Sequence, residues 1–255
     1  MNLRIGHRAR RGGLTLMELI VVLVVLIGLA GILIPLFPSL IGRAHTSAGA
    51  TNDSEVTKAI QVHEATYFQY PDQFDSLIAD GATTLFAKLP NDGANPVGNE
   101  LVSTPLTAGT ANALANAGIG NVWDLVDTTP DPTFNPYGTT VRPIATGGSV
   151  ATLSTVAVAR FNLSAGETYV VLGIGRRCTM VGRSLTDPPV HFADDQENTP
   201  EKVYGRKCVL FVVTKNAGAA ARDRAKFVGS VSLHPDGVVT ADDHLREYYG
   251  IVNDN

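Results

Sequence analysis

Between Arg11 and Arg43 the chain carries a single charge, Glu18, at the head of an otherwise apolar stretch. A carboxylate at the centre of a membrane helix costs about 2.5–3.5 kcal/mol on insertion scales, and less near the interface. Such an acid is either an interfacial carboxylate without a role or a group awaiting a cationic partner from another subunit. Intramembrane ionisable residues are functional by default, which favours the second reading. The other groups that could do chemistry are dispersed. Six histidines, His7, His45, His63, His191, His234 and His244, lie far apart in sequence and read as surface or helix-face residues. Asp194, Asp195 and Glu197 form one acidic group and Asp236, Asp242 and Asp243 another. The latter three are weak calcium candidates, because a hard cation needs several oxygens in a short loop and the D-x-D-x-D-G spacing is absent. Gly173-Ile174-Gly175 opens like a nucleotide loop but lacks the third glycine. No G-x-S-x-G elbow, H-E-x-x-H or phosphate-cradling loop is present, so no catalytic residue and no cofactor is expected.

The apolar run, Leu19 to Ile41, is 23 residues long and is interrupted only by Gly28, Gly31, Pro35, Pro38 and Ser39. As a helix it would extend about 35 Å, enough for a hydrocarbon core of roughly 30 Å. A cleaved secretory signal has a shorter apolar region, about 7–15 residues, with a small-residue cleavage site behind it. Here no such site follows. Arg4, Arg8, Arg10 and Arg11 precede the run, and the positive-inside rule keeps that end cytoplasmic, placing the rest of the chain beyond the membrane. Membrane lipid is thus an implied partner.

Gly13-Leu14-Thr15-Leu16-Met17-Glu18-Leu19-Ile20-Val21-Val22 resembles the processing site of type IV prepilins and type II secretion pseudopilins. The resemblance implies cleavage after Gly13 by a prepilin peptidase and N-methylation of the new terminus, Leu14. It implies that Glu18, fifth in the mature chain, pairs with the N-terminal amine of a neighbouring subunit during fibre assembly. Leu14 stands where the family most often has Phe, and Met17 where it has Ile or Leu; both changes keep apolar character. The partners implied are the peptidase, other pilin-like subunits and inner-membrane assembly machinery. The location implied is the cytoplasmic (inner) membrane, with a single pass. Pro35 predicts a kink, which the resemblance links to local unwinding in the fibre. The motif covers about a tenth of the chain and does not separate a pseudopilin from a pilin. The alternative is a single-span anchored extracytoplasmic binding domain that never polymerises; an anchored enzyme is a third, for which no site is visible.

Five segments follow from this reading: a leader at 1–13, a transmembrane and assembly helix at 14–41, the soluble half of a spine helix at 42–70, a loop-rich variable insertion at 71–150 and a β region at 151–255. Ile41, Ala44, Ala48, Val56, Ala59, Ile60, His63 and Tyr67 fall at helical spacing. The polar stretch Gly49 to Ser54 predicts a bend, with Asn52 and Glu55 able to restart the helix as a capping box; Pro71 predicts its end near Tyr70. Ala111 to Ala117 reads as a short helix and Asn121 to Val126 as a strand. Further strands are predicted at Ala151–Phe161, Thr168–Ile174, Lys207–Thr214 and Lys226–His234, with a turn at Pro235-Asp236-Gly237. Thr240 reads as the cap of a closing helix, His244 to Tyr249. The fold class is α+β: a long N-terminal helix packed on an antiparallel sheet, pilin-like by resemblance.

The chain has 255 residues and a net charge of −4. Removing the leader takes four of the 20 basic residues and none of the 24 acidic ones, leaving 16 against 24, or −8. An acidic chain without a basic stripe argues against a nucleic-acid partner. The two cysteines, Cys178 and Cys208, sit in strand-like stretches; beyond the membrane a disulfide between them is permitted, the alternative being two buried free thiols.

Overall fold

The computed structural model describes residues 15–34, 37–126, 138–191, 199, 202–215 and 220–248. The processing-site residues Gly13 and Leu14, the kink residue Pro35, the acidic group Asp194, Asp195 and Glu197, and the closing Tyr249 and Gly250 lie outside the described residues. The chain divides into two units, Met1–Arg43 and Ala44–Asn255.

In the first unit, helix α1 (Leu16–Leu33) starts at a capping box. Thr15 Oγ1 accepts from the Glu18 N–H at 3.3 Å, and Glu18 Oε2 accepts from the Thr15 N–H at 2.8 Å. The two bonds satisfy donors that a helix start otherwise leaves open. None of its residues is buried in the chain. It is the one described helix long and apolar enough to cross a membrane. A further helix, α2 (Phe37–Tyr67), runs into the second unit.

In that unit α2 is unbroken through Gly49 to Ser54, contrary to the bend read from its polar composition. Thr46, Gly49, Ala50 and Asp53 are buried there, so tertiary contact holds the segment helical where local propensity is poor. The helix ends before Phe68, whose φ of 58° is left-handed.

The sheet has nine strands: β1 (Phe74–Ala79), β2 (Leu101–Pro105), β3 (Asn121–Leu125), β4 (Gly138–Pro143), β5 (Ser149–Leu153), β6 (Tyr169–Gly173), β7 (Cys208–Lys215), β8 (Ala220–His234) and β9 (Gly237–Val239). Their order is β4-β3-β1-β6-β7-β8-β9, with β5 also pairing β6 and carrying β2 on its other side. The sheet is mixed, not antiparallel as predicted, because β1 and β3 run parallel. The stretch read as a loop-rich insertion, 71–150, supplies β1 to β4 and the start of β5, together with helix α3 (Ala108–Asn116), which is capped by Thr107. Ala151–Phe161 is not one strand: Ser154 Oγ accepts from the Ala157 N–H and starts helix α4 (Thr155–Arg160). Helix α5 (Ala241–Tyr248) begins at Thr240, as predicted.

Strict alternation sorts the central strands. Val170 and Leu172 of β6 and Val209, Phe211 and Val213 of β7 join one apolar cluster with Val56 and Ile60 of α2 and Leu114 of α3. Tyr169, Val171, Cys208, Leu210 and Val212 join another with Phe86, Leu89 and Val158 of α4. Successive side chains point to opposite faces, so the sheet is buried on both sides.

Candidate functional site

Two places bring chemistry-bearing groups together, one in each unit. In the first, Glu18 heads α1. Thr15 donates to it twice, through its N–H at 2.8 Å and its hydroxyl at 2.9 Å, both on Oε2. No described donor meets Oε1. The remaining charge faces outward at the start of a helix whose large apolar side chains are about half or more exposed, such as Leu19 at 58% and Ile27 at 63%. In water that apolar surface is unfavourable by about 25 cal/mol per Å², and the helix is long and apolar enough to cross a membrane.

In the second unit, a groove of about 810 Å³ opens between α2, the connection after α4, β8 and α5. Its charges are largely self-paired: Arg246 with Asp242 at 2.7 Å, and Arg160 with Glu100 at 2.6 Å and Asp243 at 3.7 Å. Glu100 also accepts from the Val238 N–H at 2.6 Å, which ties α4 to the β8–β9 hairpin. Gly237 lies against this carboxylate, a Cβ there meeting Oε2 at 2.5 Å.

At one end of the groove Asp53 of α2 leads into a buried polar cluster. Asp53 is 1% exposed, Lys207 fully buried and His244 of α5 3% exposed. Lys207 Nζ lies 3.0 Å from Asp53 Oδ1, donates to the Gly49 carbonyl at 3.2 Å and bonds Ser232 Oγ. His244 Nε2 stands 3.8 Å from Asp53 Oδ2. Ser230 Oγ donates to the Asp53 carbonyl at 2.7 Å. Burial pushes the Asp53 carboxyl up against the pull of Lys207, and pushes the Lys207 amine down. Burial, and then the charge of Lys207, lower His244 to about 4. Position 49 packs closely on the His244 ring, where a Cβ would lie 3.0 Å from it and force the ring to shift.

The histidines are less scattered than their spacing suggested. The His191 ring lies 5.3 Å from that of His244 and 6.0 Å from that of His234. His63 is also buried, its Nδ1 3.1 Å from the Gln69 carbonyl.

The calcium candidates are not brought together. Asp242 pairs with Arg246, Asp243 caps α5 through Thr240, and Asp236 sits 3.5 Å from His234. Among the described residues no group of three or more His, Cys, Asp or Glu side chains is placed to hold a metal. The Cys178–Cys208 disulfide is absent: both thiols are free and buried. They belong to the two apolar clusters on opposite faces of the sheet, so the strand backbone separates them. Burial raises both thiols, which keeps them protonated.

Gly173-Ile174-Gly175 has a structural reason. A Cβ at Gly173 would fall 1.8 Å from the Tyr204 hydroxyl, and one at Gly175 2.2 Å from the Asp75 carboxylate. The two glycines make room for a buried pair in which Tyr204 donates to Asp75 at 2.8 Å. Burial raises Asp75 to about 6, opposed by the charge of Arg206 and the Tyr204 bond.

Sequence reasoning found Glu18 and missed Asp53, Lys207 and Asp75. A usable signal existed for two of them. Asp53 falls three and four residues from Ala50, Gly49, Val56 and Thr57, on the buried stripe of α2, and Lys207 abuts the apolar run Cys208 to Val213. No protein-family model, curated protein or solved structure matches this chain.

Proposed function

We propose that the chain is a prepilin-like structural subunit, cut after Gly13, methylated at Leu14 and assembled through α1 into a type II secretion pseudopilus or type IV pilus-like fibre. One observation carries the reading. The run Gly13-Leu14-Thr15-Leu16-Met17-Glu18 stands at the head of a helix that buries nothing in its own chain. The four leader arginines support a cytoplasmic N-terminus in the inner membrane, with residues from Ala44 onward on the far side. The subunit works without catalysis: lipid holds α1 before assembly, and other subunits cover it afterwards.

The chemistry is charge pairing in a medium of low dielectric. Cleavage removes four arginines and frees an α-amino group four residues before Glu18. Thr15 occupies Oε2 and leaves acceptor capacity for an amine from an adjoining subunit. An unpaired carboxylate among apolar helices is strongly disfavoured, so the pair fixes axial register more than it adds stability.

Two substitutions separate charge from capping. Glu18→Gln keeps an acceptor for the Thr15 N–H and loses the charge, whereas Glu18→Ala loses both. Each variant is expected to insert and to be cleaved by a co-expressed prepilin peptidase. Each is expected to give no subunit–subunit cross-links from a photoreactive residue in α1. Normal cross-linking by both variants would overturn the pairing. Normal cross-linking by Glu18→Gln alone would assign Glu18 to capping.

The groove favours a second reading, a single-span anchored binding domain, since its volume lies within the range of about 300–1,000 Å³ usual for ligand sites. That protein would leave α1 singly embedded in lipid and would show no cross-links in the wild type.

A further inference from the structure

Asp53 and Lys207 are the most deeply buried oppositely charged pair among the described residues, and their contact is unusual. Nζ lies 3.0 Å from Oδ1, yet neither carboxylate oxygen makes a hydrogen bond of ordinary geometry. Among the described residues, both oxygens and both His244 ring nitrogens are buried with no hydrogen-bond partner that meets ordinary geometry. A charge-assisted hydrogen bond repays desolvation when it is well aligned. Here the amine is held against the carboxyl group, Nζ 3.0 Å from Oδ1, with both groups shut away from bulk solvent.

We propose that Lys207 and Asp53 condense to an intramolecular isopeptide bond that fastens α2 to the residue preceding β7, with His244 as the proton carrier. The Lys207 amine, in its neutral form, attacks Asp53 Cγ in the protonated carboxyl group. The N–C bond forms, and the proton released from nitrogen passes through His244 Nε2, 3.8 Å from Oδ2, to the departing hydroxyl. The C–O bond breaks and one water leaves. No oxidant, reductant or activated group is consumed.

Three features favour the step. The reactants are held by three elements in one buried site, and fixed geometry of this kind is worth effective molarities on the order of 10⁵–10⁸ M. Burial drives both groups toward their neutral, reactive forms. Asp53 is 1% exposed, Lys207 0% and His244 3%, so bulk water has little access for the reverse hydrolysis. The product also removes two buried charges. Its amide N–H keeps an acceptor already in place, the Gly49 carbonyl, 3.2 Å from Nζ. The inference rests on this cluster and not on the fibre reading; a subunit of any extracytoplasmic assembly would gain a covalent tie between helix and sheet.

The test is peptide mapping of the full-length chain purified in detergent. Trypsin cuts after Arg43, Lys58, Arg206 and Lys215 and cannot cut at an acylated Lys207. The expected product is a branched peptide joining residues 44–58 to residues 207–215, lighter by one water than the two together. Recovery of residues 44–58 only as a free linear peptide, with cleavage after Lys207, would overturn the proposal. A folded Lys207→Arg chain is expected to give the linear peptide alone, and a branched product from it would assign the cross-link elsewhere. In His244→Gln the cross-linked fraction is expected to fall at least tenfold early after synthesis. An unchanged rate would remove His244 from the step.

Discussion

At the scale of single residues, ionisable groups are placed where water cannot reach them, and two of them pull stability in opposite directions as pH changes. Asp75 has a folded pKa of about 6 against an ordinary 3.8, because burial outweighs Arg206 and Tyr204. The native state takes up this proton first, so the contribution of Asp75 is full at low pH and is lost as pH rises through about 6. His244 is the reverse, lowered to about 4 from 6.5 by burial and Lys207. Its contribution is present above pH 6.5 and is lost as pH falls through about 4. Each effect is worth on the order of 2 to 3 kcal/mol, and between pH 4 and 6 they offset one another. Relative to the wild type, Asp75→Asn is expected to lose stability more steeply on acidification from pH 6.5 to 4. His244→Gln is expected to gain stability over the same interval. Urea midpoints at four or five pH values decide this, and parallel curves for all three chains would contradict it. Glu18 was legible in the sequence because an isolated charge in an apolar run needs no tertiary information to notice. For Asp53 and Lys207 the sequence offered only their positions beside apolar residues, and for Asp75 nothing, because their pairing depends on which distant segments meet.

Among the elements, what the sequence revealed depended on how local the signal was. The strands β6, β7 and β8 and the helices α3 and α5 were legible from apolar runs, turn residues and caps: Thr240 before α5, Gly118 after α3 with φ of 99°, and Pro235-Asp236-Gly237 between β8 and β9. The mixed sheet was not. Phe74–Ala79 pairs in parallel with Asn121–Leu125, across α3 and β2, and nothing in either short stretch announces its partner. Burial on both faces also erases the polar–apolar alternation that marks a half-exposed strand; β5 and β6 are buried throughout. Within 71–150, read as a loop-rich insertion, the helix at Ala111–Ala117 and the strand at Asn121–Val126 were legible, whereas β1, β2 and β4 were not. The run Ala151–Phe161 read as strand because its apolar character outweighed one serine. Ser154→Ala tests that element: losing the cap of α4 is expected to cost roughly 1 kcal/mol with no change in denaturant slope. A change below a few tenths, measured by urea unfolding, would show that packing of Ala157 and Val158 alone fixes the helix.

For the whole molecule the division falls at Arg43. The unit from Ala44 onward holds both apolar clusters, the groove and the buried Asp53, Lys207 and His244. Expressed without the first 43 residues it is expected to be soluble without detergent and to unfold in one cooperative transition. Its melting temperature is expected within a few degrees of that of the full chain in micelles. Aggregation of that piece, or loss of its cooperative transition, would show that α1 is needed to complete the domain. For the N-terminal unit the proposed role is assembly, and one measurement addresses that most directly. Mass analysis of the N-terminal peptide of the protein extracted from its native membrane is expected to begin at Leu14 carrying one added methyl group. A chain that still begins at Met1 and keeps its arginine-bearing leader would contradict the account.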